Sequence, residues 1–480
     1  VLPREHVLTR DLAEWLPRQH WFGGEDGPVL GVSIGAATEL VPGDPGLHHL
    51  VLDVRRGTGA DRYQVLLGVR HHLPDRLRHA EIGAVDGGAP PHLYDAAHDP
   101  ELTRTLLADL ASGASIGPVR FRRLGGAPIR TGLTSLPLTA AQSNTSLLFG
   151  DDYICKLFRR LGGGVNLDLE VNLALTRDGC PHVPAVLGWI ELERGADADG
   201  GPVTLGLLSD YLRTGAAGWR LALASVRDWY AHTPPPDGTG RPDEWAAVWA
   251  ELDASAAGGD FAAEAERLGA ATAEVHRALA AAFGETTLPP GEVRALAARM
   301  NAELTATCRA VPALVPHARS ITRAFVELAA DAAPLTVQRV HGDYHLGRVL
   351  RTESGWALLD FEGEPARPPG ERRALAHPLR DVAGMLRSLE YAARFLVQRS
   401  RTVPPEAGRD LEGRAQAWAA RNRAAFCRGY AAAGGADPAA HAALLRAFEF
   451  EKAVYEVRYE ARHRPGWLPV PLASLAHLAT

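Results

Sequence analysis

The stretch VHGDYHLGRVLRTESGWALLDFEGEP, residues 340–365, constrains this chain more than any other. RVLR and WALLD flank TESG, the pattern of two short strands around a tight turn. A hairpin returns the chain to where it started, so Asp343 and Asp360 are both expected at its open end, with Glu362 just beyond. Two carboxylates near one point suit phosphoryl transfer. One accepts the proton of the acceptor hydroxyl and orients its oxygen, and the other holds Mg²⁺ against the phosphates. The plainer alternative makes Asp343 a turn residue and Asp360 a strand-end cap.

Lysine is the second constraint. Of 51 Lys and Arg residues, only Lys156 and Lys452 are lysine. TSLLFG-DD-YICKLF reads as two strands around a Gly-Asp-Asp turn, and strand alternation puts Ile154, Lys156 and Phe158 on one face. A half-buried lysine there needs an anionic partner. Its compact ammonium can bridge several oxygens, whereas a guanidinium is a wide planar fork. Kinase-like folds use such a strand lysine on the α/β-phosphates and pair it with a helix glutamate. Asn166 can cap the next helix, and Glu170, one turn inside it, is the candidate partner. The alternative is a lysine snorkelling from a strand edge. Upstream, Ser143, Asn144, Thr145 and Ser146 offer hydroxyl, amide and backbone N–H groups to phosphate oxygens. RLGGGVN, 160–166, follows the lysine strand and reads as a turn.

Lys452 lies in AFEFEKAVYEVRYEARHR, where helical spacing gathers Phe448, Lys452, Tyr455 and Tyr459 into one stripe beside Glu456. Such a stripe offers a sugar an amine and a carboxylate for its hydroxyls and aromatic faces for its C–H surface. The alternative is a solvated Lys452–Glu456 pair over core tyrosines, worth about 0.3–0.5 kcal/mol. PLRDVAGMLRSLEYAA, 378–393, adds Glu390 and Tyr391 to the candidate pocket. Arg380 and Asp381 at its start read as a brace for the loop at 341–343. His341 is expected to be structural and His276, on a helix with apolar spacing, to be packing.

At 480 residues with 46% hydrophobic and 22% charged composition, the chain can bury a large core. Three segments are expected: an α+β cap over 1–90, a β-rich lobe over 91–208 and a helical lobe over 209–480. The first boundary rests on the Gly/Pro-rich AVDGGAPP at 84–91, and further loops on 232–243 and 401–410. A net charge of −6 offers nucleic acid no bulk field. The four cysteines are scattered and read as reduced thiols of a cytoplasmic protein, an expectation that the charged first 17 residues share. No apolar run reaches the roughly 18 residues of a membrane helix.

HGDYHLG and LLDFEGEPARP resemble the catalytic loop and metal motif of aminoglycoside-phosphotransferase-like kinases. WLPRQHWFGG, AQSNTSLLFGD, KLFRRL…NLDLEVNLAL, PLRDVAGMLRS and KAVYEVRYEARHRPGWLPVPL are similar to the maltokinases, over nearly the whole chain. The resemblance implies an α+β, bilobal protein-kinase-like fold with an additional N-terminal cap, and an ATP- and Mg²⁺-dependent kinase. It implies Asp343 as base, Asp360 as principal metal ligand, Lys156 as phosphate lysine and Glu170 as its partner. The maltokinase pattern usually has Leu at 344 and Gln at 348, where other relatives carry a metal-binding Asn. This chain has Tyr344 and Arg348. Arg cannot ligate Mg²⁺, so either Glu362 supplies the second ligand or Arg348 touches phosphate.

The expected activity is transfer of the ATP γ-phosphoryl group to the anomeric hydroxyl of maltose. The close alternative is D-glucosamine at its 6-hydroxyl, which needs an additional carboxylate at Glu390, Glu451 or Glu456. A nucleotide-binding pseudokinase scaffold is the rival from another class. The expected partner is a small sugar, without nucleic acid or membrane; the cap is expected to clamp the β-rich lobe or to meet an enzyme of glucan or trehalose metabolism, and a homo-oligomer is a further expected assembly.

Overall fold

The computed structural model describes residues 4–22, 27–57, 59–85, 89–126, 128–138, 143–193, 201–213, 215–232, 261–364, 367, 369–399 and 405–478. The chain divides into two compact units, residues 1–173 with 184–213, and residues 174–183 with 214–480. Parts of the expected loops at 84–91, 232–243 and 401–410 lie outside the described residues, and a helix begins at Pro405 inside the last of them.

The first unit carries two sheets. In one, β1 (Val29–Val41), β2 (Gly46–Arg56), β3 (Gly59–Arg70), β4 (Glu81–Val85) and β5 (Ala89–Asp95) run in the order β1-β2-β3-β5-β4. Alternation decides what each face of β2 meets. Leu50, Leu52 and Val54 share a core with Leu8, Leu12 and Trp15 of helix α1 (Glu5–Trp15). Leu47 and Val51 face the other way, toward Leu102, Leu106, Leu107 and Leu110 of helix α2 (Pro100–Ser112). Asp99 caps α2 by accepting from the Glu101 N–H.

The second sheet holds β6 (Ser115–Ile116), β7 (Val119–Arg123), β8 (Ser135–Pro137), β9 (Thr145–Phe149), β10 (Tyr153–Leu157), β12 (Val186–Leu192) and β13 (Val203–Asp210). Their order is β6-β7-β12-β13-β10-β9-β8. The sheets share a core, because Leu147, Phe149, Cys155 and Leu157 pack in the same cluster as Leu47 and α2. They are also joined through the backbone. The chain leaves β10 and forms β11 (Arg160–Leu161), whose Arg160 pairs with Tyr63 of β3. Gln64 donates to the carbonyls of Phe158 and Leu205, and the Arg159 guanidinium, buried over the Trp21 ring, pairs with Asp95. The cap thus grips the segment that follows Lys156. Helix α3 (Leu167–Arg177) begins where Asn166 Oδ1 accepts the Asp168 N–H at 2.8 Å.

The second unit is mostly helical: α4 (Gly218–His232), α5 (Ala262–Phe283), α6 (Pro290–Ala310), α7 (Ala318–Ala330), α8 (Pro369–Arg372), α9 (Leu379–Arg399), α10 (Pro405–Ala432), α11 (Ala442–His463) and α12 (Pro469–Leu478). β14 (Ala216–Ala217) lies beside the hairpin of β17 (Val349–Thr352) and β18 (Gly355–Leu358), and β15 (Glu285–Leu288) pairs with β16 (Leu335–Gln338). The hairpin pairs Val349 with Leu358, the register that TESG predicts. Gly429 in α10 sits against the carbonyl of Glu266 in α5, with room for no side chain, so the two helices meet backbone to backbone there. No described helix is long and apolar enough to cross a membrane.

Candidate active site

The hairpin delivers its two carboxylates to one guanidinium. Arg348 donates through Nη1 to Asp360 Oδ2 at 2.6 Å and through Nη2 to Asp343 Oδ2 at 3.2 Å. Asp360 has φ +60° and is the one non-glycine residue with positive φ among those described. That backbone costs about 1 kcal/mol or more and persists where the surroundings impose it, commonly at functional sites. Glu362 follows on the same turn, its N–H bonded to the Asp360 carbonyl. A carboxylate oxygen of Asp360 and one of Glu362 lie within 4.8 Å of each other.

Asp343 is flanked by two cations and an imidazole. Lys452 Nζ stands 3.6 Å from Oδ1, His345 Nε2 3.6 Å from Oδ2, and Arg348 on the same oxygen. Burial opposes ionisation of Asp343, but His345, Lys452 and Arg348 outweigh it and hold the carboxyl well below its ordinary range. His345 Nδ1 accepts the Gly347 N–H, which leaves Nε2 to carry the proton toward Asp343.

The loop bearing Asp343 is held from behind. The buried Asp381 carboxylate accepts the N–H groups of His341 and Gly342 at 2.7 and 2.9 Å. His276 Nε2 lies 3.1 Å from the same carboxylate and its Nδ1 2.9 Å from Tyr430 Oη. His276 is therefore a polar link in the brace, where its apolar sequence neighbourhood suggested packing. His341 Nδ1 accepts the Asp343 N–H while its Nε2 meets the Leu359 carbonyl, tying the loop to the hairpin's end. Tyr344 is buried with its hydroxyl 2.7 Å from Thr272 Oγ1. Gly384 packs against the Tyr344 carbonyl, where a Cβ would not fit.

Lys452 joins this acid cluster to a cavity of ≈ 560 Å³. Its Nζ donates to Glu364 Oε1 at 2.8 Å and lies 4.5 Å from the Tyr455 ring centroid. Burial alone would lower the ammonium's pKa, and Glu364 and Asp343 overcome it and raise it. Lys452, Tyr455, Gly342, Tyr344 and Phe448 all contribute to the cavity wall. Most acids of that wall are spent on cations. Glu364 also holds Arg367 at 3.0 Å, Glu451 holds Arg380 at 2.6 Å, and Glu303 pairs with Arg458. Glu371 lines the cavity and is exposed, and no ion pair to it occurs among the described residues.

Several expected pocket residues lie elsewhere. Glu390 is bound to Arg394, with Arg423 at 3.6 Å, and Glu456 to the fully buried Arg387 at 2.6 Å. The Tyr391 hydroxyl donates to Glu460, and Tyr459 is 40% exposed beside Tyr455. None of these four lines the cavity. Helical spacing put Glu456 beside Lys452, but Arg387 of α9 claims the Glu456 carboxylate and is itself held by Ser474 of α12.

In the first unit, Lys156 pairs across the sheet with Ser146 and Leu207. Its Nζ donates to Asp168 Oδ2 at 2.9 Å, and Asp168 is fixed in turn by Asn172 Nδ2. Asp168, in NLDLE, is a partner the pattern did not single out, because kinase-like folds pair the strand lysine with a helix glutamate. Glu170 sits in the same first turn of α3. Ser143 is exposed and Asn144 buried. Thr145 is a correction: it is a buried β9 residue whose hydroxyl accepts from Arg159 Nε at 2.8 Å, so its side chain serves the lobe's interior.

Residues 15–99 match the maltokinase N-terminal cap domain, and residues 246–388 match the phosphotransferase enzyme family. A glucosamine kinase of Streptacidiphilus jiangxiensis is 31% identical over 348 residues, which cover 70% of this chain and 72% of that protein. A solved glucosamine kinase in complex with glucosamine, ADP and inorganic phosphate is 25% identical, with a TM-score of 0.64 over 100% of both chains. A further glucosamine kinase structure is 26% identical, with a TM-score of 0.65 over 98% of this chain and 99% of that one.

Proposed function

Since the chain belongs to the glucosamine kinase and maltokinase group of the aminoglycoside-phosphotransferase-like kinases, we propose that it is an ATP- and Mg²⁺-dependent sugar kinase. Its acceptor is D-glucosamine, phosphorylated at the 6-hydroxyl. The observation that carries the kinase reading is the position of Lys452, which lines the cavity and stands 3.6 Å from Asp343, and the likeness to glucosamine kinases supports the amino-sugar acceptor. A sugar bound in that cavity has a carboxylate at its edge to receive a hydroxyl proton.

Asp343 orients the acceptor oxygen and takes its proton as the bond to phosphorus forms. Held so acidic by its neighbours, it works more by orientation than by basicity, which suits a loose transition state in which the proton leaves late. Asp360 and Glu362 would hold Mg²⁺, since two carboxylates on one turn with oxygens within 4.8 Å are hard donors of the kind it takes. When bound, the ion neutralises charge on the phosphates. Lys156, its ammonium fixed by Asp168, is assigned to the nucleotide's phosphates. An ammonium-bearing sugar needs a carboxylate not already spent on a cation, and Glu371 is our candidate.

ADP release with Mg-ATP and glucosamine, glucose or maltose tests this. We expect turnover with glucosamine, and a Glu371→Gln variant with a raised KM for glucosamine and an unchanged KM for any neutral sugar accepted. A chain that binds ATP and turns over none of them is a scaffold. Maltose remains the second reading, favoured by the match of residues 15–99 to the maltokinase cap; turnover of maltose alone would select it.

A further inference from the structure

We propose that Arg348 is a built-in cation that takes the place of a second divalent metal ion, so that phosphoryl transfer in this protein runs with a single Mg²⁺. The inference rests on the kinase reading above and concerns the same centre. In protein kinases the residue five positions after the catalytic aspartate is an asparagine, which with the aspartate of the metal motif holds two Mg²⁺. Here the residue five positions after Asp343 is Arg348. A guanidinium has five N–H donors and no acceptor, so it cannot ligate a metal.

The geometry shows what it does instead. Arg348 spans the two acids, Nη1 to Asp360 Oδ2 at 2.6 Å and Nη2 to Asp343 Oδ2 at 3.2 Å. It is held on its own element as well, its N–H bonded to the His345 carbonyl at 2.8 Å and its carbonyl accepting the Leu359 N–H at 2.9 Å. Its charge thus stands between base and metal acid, where a second metal would otherwise share those oxygens. A divalent cation brought to the same oxygens would meet a fixed positive charge and an Asp360 oxygen already engaged. Glu362 and the rest of Asp360 are left to serve one ion. Lys452 marks the opposite side of Asp343 with another fixed cation, so the base is flanked by side-chain charge on both oxygens.

The test counts metal rather than turnover. Mn²⁺ binding to the full chain, saturated with a non-hydrolysable ATP analogue, is measured by electron paramagnetic resonance. We expect one Mn²⁺ per bound nucleotide in the wild type and in Arg348→Lys, and two in Arg348→Asn, which restores an oxygen ligand and removes the charge. Two Mn²⁺ in the wild type overturn the inference while leaving the kinase reading intact, as does a single Mn²⁺ in Arg348→Asn that still binds nucleotide. Circular dichroism of the variant confirms its fold, and a misfolded Asn variant is replaced by Arg348→Gln with the same expectation. A wild-type chain that binds no nucleotide overturns the kinase reading, and this inference with it.

Discussion

Lys452 Nζ stands 3.6 Å from Asp343 Oδ1, an ammonium on helix α11 set against the acid of the loop at 341–343. The ammonium helps keep Asp343 ionised and at the same time faces the cavity.

Removing that ammonium should therefore move a titration. Asp343 is held below the ordinary carboxylate range partly by Lys452. In Lys452→Met its pKa rises toward the ordinary value near 4, and the acid limb of kcat/KM moves to higher pH. Lys452→Arg should keep the limb where it is. A pH–rate profile checks this, and an unmoved limb in Lys452→Met would separate Lys452 from the base.

Asp343→Asn should bind ATP with near-normal affinity and lose roughly 10²- to 10⁴-fold in kcat, the usual share of a positioned proton acceptor. Calorimetry for the nucleotide and ADP release for the rate check the split. A variant with near-normal turnover would remove Asp343 from the base role.

Asp381 accepts two backbone N–H groups and meets His276, all buried. Asp381→Asn keeps the shape and loses the charge that answers those donors, so the helical unit should lose about 2–4 kcal/mol of stability. A lowered urea midpoint at pH 7 reads this, and an unchanged midpoint contradicts the brace.

His49 is buried in the cap against Gln64 Oε1 at 3.0 Å, and burial lowers its pKa to about 4. The unfolded chain takes up this proton near pH 6.5 and the folded chain only near 4, so stability falls as pH drops from 6.5 toward 4. The loss from this one group is of the order of 3 kcal/mol at the low end. His377, lowered to about 4 by burial and by its His neighbours, acts in the same direction in the other unit. Urea unfolding at pH 7.5 and 5 checks the sign, and His49→Gln should flatten the slope.

The hairpin was legible because alternation, a turn tetrad and two acids coincide in one short stretch, and local interactions alone bring Val349 opposite Leu358. The strand of Lys156 and the cap at Asn166 were legible for the same local reason. What the sequence concealed is long-range. Glu364 reaches Lys452 across 88 positions, and His276 reaches Asp381 across 105. No spacing rule connects them. Glu390 and Glu456 misled because an acid on the right helix resembles a ligand until the arginines on neighbouring helices are seen to claim it. Asp168 was a subtler miss, since either acidic residue of NLDLE reads as a partner of Lys156 and spacing alone does not single out Asp168.

Phosphorus NMR of the product formed from Mg-ATP and D-glucosamine tests the central assignment most directly. We expect a phosphomonoester on the 6-carbon, in amounts matching the ADP released and lost with Asp343→Asn. A phosphate on the anomeric carbon of maltose, with glucosamine untouched, would contradict the amino-sugar acceptor. No phosphorylated sugar from any member of the panel would contradict the kinase itself.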